Sequence, residues 1–225
     1  MSADYLRPYE EAVEESGAGF ESLLWRNKDY QLKRFQVLCE VASAGLDKPD
    51  APASLDKLAG RVIADMGAGT ADLCKWLNDH GVEYGRYVGV EGVTGLAEAS
   101  RKRIADEKLP EAEIIESDFA ADPTIFESIV KSRGVELILF SGSLNTFEQD
   151  HAVRVITSAY KALNSGGVVF NFLSDLVREP PSGDTGPAKR FNTLAVFEEL
   201  SKTAGKISLR HDYLEGHDAT IGMFV

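Results

Sequence analysis

Two glycines and a carboxylate are the first candidate functional residues in this chain. Gly67 and Gly69 interrupt the segment RVIADMGAGTADLCKWL between an apolar strand-like run and a helical pattern, and Asp65 lies just before them. Glycine permits a tight turn and lets a ligand approach the backbone without meeting a Cβ atom. Such turns lie at the carboxyl edge of a parallel sheet, where open α/β sheets bind ligands. The pattern therefore predicts a ligand on this turn.

Two further acids end the next strand-like runs. Glu91 lies 22 residues after Gly69, where a carboxylate can accept hydrogen bonds from both hydroxyls of a ribose. Asp118 and Phe119 follow the third run, and an acid beside an aromatic ring suits an adenine, through its amino group and its ring. A solvated strand end or a helix cap is the simpler interpretation of each acid alone. Together with the glycines, the acids predict a ligand that contains a nucleoside.

A nicotinamide dinucleotide is the alternative ligand. Its fingerprint, G-x-G-x-x-G, has a third glycine that lets the helix pack closely on the strand. Asp72 occupies that position here, and its carboxylate would repel a pyrophosphate at the helix N-terminus. The sequence also contains no Tyr-x-x-x-Lys pair for short-chain hydride transfer. A ligand without phosphate is favoured, and an NAD-dependent oxidoreductase stays as the alternative.

The elements that must position these residues alternate along the chain. Strand-like runs and helical patterns follow one another, which predicts a doubly wound, mostly parallel sheet with helices on both faces. The strand-like runs are 61–66, 86–91, 111–117, 135–141 and 167–174, and the helical patterns between them are 71–80, 94–107, 123–132 and 148–163. After a helix near 189–204, two briefly joined runs predict an antiparallel hairpin and bring the strands to seven.

The N-terminal quarter of the chain has a different pattern. Residues 2–45 predict two helices with a break at 16–19, the second beginning at Phe20. A connector rich in Pro, Asp and Ala follows. We therefore divide the chain into an N-terminal helical segment with its connector, 1–60, and an α/β domain, 61–225, within a single structural unit.

Five segments between residues 61 and 175 resemble the motifs of class I S-adenosylmethionine-dependent methyltransferases. They read VIADMGAGTADL, YVGVEGVTGLAEASRKR, IIESDFA, VELILFSGSLNTF and LNSGGVVFNFLSD. The resemblance implies a Rossmann-like sheet of seven strands with a reversed last strand, and S-adenosylmethionine as the cofactor. It also implies methyl transfer, without naming the molecule that accepts the methyl group.

The same resemblance assigns the cofactor contacts. It implies that Asp65 supports the methionine end, that Glu91 holds the ribose hydroxyls, and that Asp118 holds the adenine amino group. The complete predicted cofactor-binding set is Gln31, Arg34, Asp65, Gly67, Ala68, Gly69, Glu91, Gly92, Asp118, Phe119, Ser141 and Gly142.

The segment LLWRNKDYQLKRF more loosely resembles a helical lid in uncharacterised bacterial members of that superfamily. Gln31 and Arg34 are three residues apart and share a helix face. Arg34 is expected to pair with the methionine carboxylate through its planar fork, and Trp25 is expected to contact the substrate. The alternative interpretation makes Trp25 a core residue and Arg34 a surface charge.

The candidate catalytic residues are His211 and Tyr213, which alternate on one face of the predicted sixth strand. A histidine titrates near neutrality and can take a proton from an acceptor. A hydrogen-bonded structural histidine is the alternative. His80 and His217 are predicted in loops, and His151 at the start of a helix.

Asn145 and Asn171 are the remaining candidates for substrate contacts, because an asparagine in or after an apolar strand must find polar partners. The loop after the fifth strand carries positive charges in an acidic protein, so an anionic small substrate is one expectation. These charges are Arg178, Lys189 and Arg190. The acceptor atom, whether O, N or C, stays open.

The net charge of −12 and the pI near 4.8 argue against nucleic acid or an anionic membrane as partner. The fourth motif, FSGSLN, also lacks the Asp/Asn-Pro-Pro-aromatic quartet of enzymes that methylate the amino groups of DNA bases. No metal site is predicted, because the two cysteines form no ligand spacing. Cys39 and Cys74 lie in helical apolar patterns and predict buried thiols in a reducing compartment.

The acidic N-terminus does not have the pattern of a signal peptide, and no run reaches the roughly 18 apolar residues of a membrane span. A cytoplasmic location is expected, and the oligomeric state is not predicted. The sequence thus predicts a methyltransferase that acts on a small molecule. A cofactor-binding protein without catalysis is a further alternative, disfavoured because the motifs are intact.

Overall fold

The computed structural model describes residues 3–46, 54–178 and 186–225. Its strands are β1 (Val62–Met66), β2 (Arg86–Glu91), β3 (Ala112–Glu116), β4 (Leu137–Ser141), β5 (Gly167–Ser174), β6 (Arg190–Phe191), β7 (Lys206–Arg210) and β8 (Asp218–Phe224). Its α-helices are α1 (Arg7–Ser16), α2 (Lys28–Leu46), α3 (Asp72–Asp79), α4 (Thr94–Asp106), α5 (Thr124–Arg133), α6 (Gln149–Ala162) and α7 (Thr193–Ser201).

The seven longer strands form one sheet in the order β3-β2-β1-β4-β5-β8-β7. Neighbouring strands from β3 to β5 are parallel, and β8 is antiparallel to both β5 and β7. The two-residue β6 pairs with the end of β5. This arrangement confirms the predicted doubly wound, mostly parallel sheet with an antiparallel last strand. The strand order reverses between β1 and β4, because β2 and β3 lie to one side of β1 and the later strands to the other. Open α/β sheets bind ligands at such a switch point.

Helices cover both faces of the sheet because successive strand residues point to opposite sides. Ile63 of β1 packs into a cluster with α2 and α3, whereas the next residue, Ala64, packs into a cluster with α5, α6 and α7. The strands therefore read as continuous apolar runs, as strands buried on both faces do.

The start of α2 differs from the prediction. The second helix was expected from Phe20, but a short 3₁₀ turn and an irregular stretch precede α2, which begins at Lys28. Leu24 adopts a left-handed backbone conformation with φ 58°. Asn27 then caps α2, since its Oδ1 accepts a hydrogen bond from the backbone N–H of Tyr30 at 2.8 Å.

Most of α2 belongs to the core. Phe35, Leu38, Cys39 and Ala42 are buried against the sheet face that carries β5 and β8. The division of the chain at residue 60 stays a prediction, but only the part before Phe35 covers the carboxyl edge of the sheet. We call residues 3–34 the N-terminal cover.

The terminal hairpin has a longer connection than predicted. β7 ends at Arg210, and a seven-residue connection, 211–217, leads to β8. Leu214 and Glu215 both have positive φ, 47° and 56°, so the chain turns before it reaches Gly216, where the sequence predicted the turn. His211 and Tyr213 therefore lie outside the strand to which the sequence assigned them.

Two smaller predictions concern compartment and membrane. Both cysteines are buried free thiols, as predicted. None of the described helices combines the length and the apolar character needed to cross a bilayer. The cytoplasmic location stays a prediction.

Candidate functional site

A cavity of about 480 Å³ lies between the carboxyl edge of the sheet and the N-terminal cover. The turn after β1 forms its floor, and residues at the ends of β2, β4 and β5 form its sides. Fourteen of the fifteen residues predicted for the cofactor and the substrate line it. They are Trp25, Gln31, Arg34, Asp65, Gly67, Ala68, Gly69, Glu91, Gly92, Asp118, Phe119, Ser141, Gly142 and Asn145. Prediction and structure therefore point to the same edge of the sheet.

Asn171 is the one predicted cofactor or substrate residue that does not line the cavity. Its side chain is fully buried behind the cavity wall, and its Oδ1 accepts a hydrogen bond from the backbone N–H of Gly142 at 2.7 Å. The structure does not support the predicted substrate contact of Asn171, because its amide oxygen faces the turn after β4. Asn171 instead holds Gly142 in place.

The glycine turn closes tightly because two positions have no room for a side chain. Gly67 and Gly69 have φ values of 80° and 57°, a region that disfavours side chains. A Cβ atom at Gly67 would lie 2.4 Å from the Cβ of Ser143, and one at Gly69 would lie 2.7 Å from a methyl group of Leu23. The turn therefore touches both the loop after β4 and the N-terminal cover.

Glu91 ties the turn to the end of β2. Its two carboxylate oxygens accept hydrogen bonds from the backbone N–H groups of Gly69 at 2.8 Å and Val93 at 2.9 Å. Burial raises the pKa of Glu91 to about 7, although these N–H groups oppose the rise. The acid thus shapes the turn and also lines the cavity.

Asp65 has one oxygen that is satisfied and one that is not. Its Oδ2 accepts a hydrogen bond from the Tyr87 hydroxyl at 2.5 Å, while the buried Oδ1 has no hydrogen-bond partner among the described residues. Burial raises the pKa of Asp65 to about 7. A buried oxygen that faces a cavity without a partner is suited to a polar ligand group.

Asp118 is engaged by the N-terminal cover. The Tyr5 hydroxyl donates to its two oxygens at 3.0 and 2.8 Å, and the Tyr5 ring stacks on Phe147 with the centroids 4.3 Å apart. Phe147 lies parallel to Phe119, with an angle of 9° between the rings. The Tyr5 ring and hydroxyl thus occupy the place predicted for the adenine. No sequence pattern indicated this position of Tyr5.

The loop after β4 contributes unpaired polar atoms. Ser141 Oγ and Asn145 Oδ1 are buried at the cavity and have no partner among the described residues, and the same holds for Gln31 Oε1 from the cover. Native proteins rarely leave such atoms unpaired. Their concentration here indicates a bound polar ligand.

The cover is fastened to the glycine turn through Asp72. Lys28 Nζ and Gln31 Nε2 donate to its carboxylate at 3.1 and 3.3 Å, and Arg103 of α4 donates at 2.7 Å. Burial opposes the charge of Asp72, but Arg103 and Lys28 outweigh burial and hold its pKa below the usual value. The residue that argued against a dinucleotide therefore also anchors α2.

Arg34 has a different partner from the one predicted. Its guanidinium forms a two-point ion pair with the fully buried Asp218 at the start of β8, and Arg34 Nη2 lies 2.9 Å from Asp218 Oδ1. It also lies over the Trp25 ring, 4.7 Å from its centroid. The fork expected to bind a methionine carboxylate is thus taken up by the protein. Trp25 does line the cavity, as predicted.

The predicted catalytic pair lies outside the cavity. His211 Nε2 is 2.9 Å from Ser174 Oγ, and the buried Tyr213 hydroxyl is 2.6 Å from Thr220 Oγ1. Neither side chain lines the cavity, because the strand ends before them and their polar atoms face β5 and β8. The structure therefore does not place His211 and Tyr213 at the cavity, and it gives their predicted catalytic role no support.

A histidine that the sequence assigned to a loop does reach the cavity. His217 lines it, and its Nδ1 lies 2.6 Å from Asp218 Oδ1. The only sequence signal was a histidine and an aspartate directly before an apolar run. The sequence analysis also gave no role to Tyr5 and Tyr9 of the cover, which line the cavity as well.

Residues 63–167, just under half of the chain, match a family model described as a methyltransferase domain. The matched range includes the glycine turn, Glu91, Asp118 and the loop after β4. The match agrees with the methyltransferase motifs predicted in this range, for which S-adenosylmethionine is the expected cofactor. The NAD-dependent alternative has no support from the match. No curated protein sequence matches the chain.

Solved structures share the fold at low sequence identity. An O-methyltransferase family protein from Burkholderia thailandensis is 15% identical with a TM-score of 0.62, over 91% of this chain and 58% of that one. Mitomycin 7-O-methyltransferase is 17% identical with a TM-score of 0.61, over 96% and 60%. Magnesium protoporphyrin IX methyltransferase from Synechocystis PCC 6803, solved with bound SAH, is 9% identical with a TM-score of 0.59, over 97% and 93%. This chain spans less than two thirds of the length of the first two proteins.

The Arg34–Asp218 pair generates a stability prediction. Arg34→Met should lower the free energy of unfolding by about 3–5 kcal/mol, because it leaves the Asp218 carboxylate buried without its partner. Chemical denaturation measures the change. Arg210→Met is the matched control, since Arg210 also joins the hairpin to α2, through Glu40, but at a half-exposed site, where a pair contributes about 0–1 kcal/mol. Equal losses in the two variants would contradict the assignment.

Proposed function

We propose that this chain, which carries a class I S-adenosylmethionine-dependent methyltransferase domain, transfers the cofactor's methyl group to a small molecule inside the cavity under the N-terminal cover. The observation that carries the proposal is the cavity itself. At about 480 Å³ it has the size of small-molecule sites, and unpaired buried polar atoms line it. The chain's own cover encloses it, which favours a small acceptor over a polymer.

The residues present fit the cofactor. Glu91 ends β2 and would hold the ribose. Asp118 follows β3 and would hold the adenine. Asp65 and Ser141 end β1 and β4, and their unpaired oxygens would hold the polar methionine end. The cofactor supplies a methyl group that is already activated by the positive sulfonium. The protein's part is to orient the two molecules and to exclude water.

The acceptor end of the cavity lies toward β5 and β8. Leu24, Trp25, Leu173 and Pro187 give it mostly apolar and aromatic walls, and His217 is a polar group among them. We infer an acceptor with an apolar or aromatic body and one nucleophilic polar atom. Mitomycin 7-O-methyltransferase, which shares the fold, is by its name an enzyme of oxygen methylation, and a hydroxyl acceptor is the corresponding proposal here.

The basic residues that suggested an anionic substrate do not support that expectation. Arg178 is exposed, Lys189 pairs with Glu148, and Arg190 donates to the backbone carbonyl oxygens of Ser174 and His217. None of the three lines the cavity. We therefore propose a neutral acceptor.

The cover and the adenine compete for one place in this proposal. Tyr5 stacks on Phe147 and donates to Asp118, and an adenine at Asp118 would need both positions. Tyr5 must therefore move when the cofactor binds. Any affinity measured for the cofactor then includes the free energy of displacing this side chain.

Turnover tests the proposed function. Protein incubated with S-adenosylmethionine carrying a labelled methyl group and an extract of cellular small molecules should transfer label to the low-mass fraction. Glu91→Ala should lose this transfer, because the turn and the ribose site lose their carboxylate. Label found only in nucleic acid or protein would contradict the proposal. Cofactor binding without any transfer would instead support the non-catalytic alternative.

The pKa of Asp65 generates a pH prediction. Below about pH 7 the Asp65 carboxyl is protonated and cannot pair with the ammonium group of S-adenosylhomocysteine. Affinity for this ligand should therefore fall as pH falls through 7, by up to about tenfold per pH unit. Methylthioadenosine has no amino-acid end, so its affinity should fall less, and the difference separates Asp65 from Glu91. Calorimetry at a series of pH values measures both ligands. Identical profiles would contradict the role of Asp65.

Removal of Tyr5 tests the competition for the adenine place. Tyr5→Ala should tighten binding of S-adenosylhomocysteine by about 1–2 kcal/mol, because a hydrogen bond and a ring stack no longer need to be broken. Asp118→Ala should weaken binding. Arg7→Ala, at an exposed position of α1, is the control and should leave affinity unchanged. If Tyr5→Ala weakens binding as Asp118→Ala does, Tyr5 is part of the binding wall and does not compete.

A further inference from the structure

His217, Asp218 and Arg34 form a buried chain of charged and polar groups that ends at the cavity. His217 Nδ1 lies 2.6 Å from Asp218 Oδ1, and Asp218 is held at both oxygens by the Arg34 guanidinium. His217 is 8% exposed and lines the cavity, while Asp218 is fully buried behind it. Among the described residues, the His217 ring has a polar contact at Nδ1 and none at Nε2.

The geometry of the ring leaves one nitrogen for a ligand. A carboxylate at Nδ1 accepts the proton that this nitrogen carries, so Nε2 is left with its lone pair. Nε2 has no hydrogen-bond partner among the described residues. The Tyr30 ring packs edge-on against the imidazole, with the centroids 5.9 Å apart, and limits its rotation.

The ion pair explains how the carboxylate stays charged where it is buried. Burial alone would raise the pKa of Asp218, but Arg34 and His217 outweigh burial and hold it below the usual value. An ionised Asp218 orients the imidazole and stabilises the imidazolium that forms when Nε2 takes a proton. Arg34 and Asp218 are therefore positioning residues.

We propose that His217 is the general base of this methyl transfer, taking the proton of an acceptor hydroxyl at Nε2. The inference rests on the proposed function and narrows its acceptor to a group that must lose a proton. The acceptor O–H bond breaks and its proton goes to Nε2. The new bond joins the acceptor oxygen to the methyl carbon. The bond from that carbon to the sulfonium sulfur breaks, and its electron pair stays on the sulfur. The imidazolium then returns its proton to water.

Several charged and polar groups surround His217. They come from three elements. β8 supplies Asp218, α2 supplies Tyr30 and Arg34, and β6 supplies Arg190, which donates to the His217 carbonyl oxygen. Two positive charges and one negative charge therefore face this part of the chain.

Two phenols of similar size separate a base from a structural histidine. In mildly alkaline solution 4-nitrophenol is largely ionised and needs no base, whereas 4-methylphenol keeps its proton. His217→Gln should lower kcat/KM for 4-methylphenol by roughly 100-fold or more, while hardly changing the rate for 4-nitrophenol. His80→Gln is the control, since His80 stacks on Trp76 away from the cavity, and it should change neither rate. Equal losses on both phenols would overturn the proposal.

A second measurement does not depend on turnover. Nitrogen NMR of the imidazoles, recorded in mildly alkaline solution on the protein without cofactor and with His217 assigned through His217→Gln, should show a proton on Nδ1 and none on Nε2. A proton on Nε2 would overturn the proposal. If the wild type binds S-adenosylhomocysteine but methylates neither phenol, the proposed hydroxyl acceptor fails, and the ring tautomer alone decides on His217.

Discussion

The carboxylate of Asp218 is the constraint on which the site depends. It is fully buried at the start of β8, and such a charge is tolerated only with a partner of opposite charge and good geometry. Arg34 supplies that partner from α2, 184 residues away. The pair fixes the first turns of α2 above the sheet edge, and with them Trp25 over the loop after β4. The same carboxylate holds His217 at the cavity.

The N-terminal cover reaches the sheet at positions where side chains are missing. Leu6 lies against Gly92, Leu23 against Gly69 and Trp25 against Gly142. The glycines that would let a cofactor approach the backbone thus also let the cover approach it. Closure of the cover and occupation of the cavity consequently involve the same surface, and Tyr5 at Asp118 is the clearest case of this overlap.

The acidic residues of the site have different roles. Glu91 and Asp72 bind backbone or cover groups and hold the turn in shape. Asp65 keeps one buried oxygen without a partner. Burying a carboxylate in this state destabilises the fold, so its placement beside a ligand cavity points to a ligand that compensates the cost.

The sequence by itself determined the strands, the glycine turn and the acids at the strand ends. These follow from local periodicity and from the rule that parallel strands end at one edge, so Gly67, Glu91 and Asp118 could be brought together without coordinates. The tertiary structure decided the partner of Arg34 and the place of Tyr5. It also decided that His217, and not His211, lines the cavity. Periodicity reports which face of its own element a residue occupies. It does not report which group from a distant element meets that face. The connection before β8 turns at Leu214 and Glu215, two residues that rarely adopt positive φ, and this turn alone moves one histidine out of the strand and brings the other to the cavity.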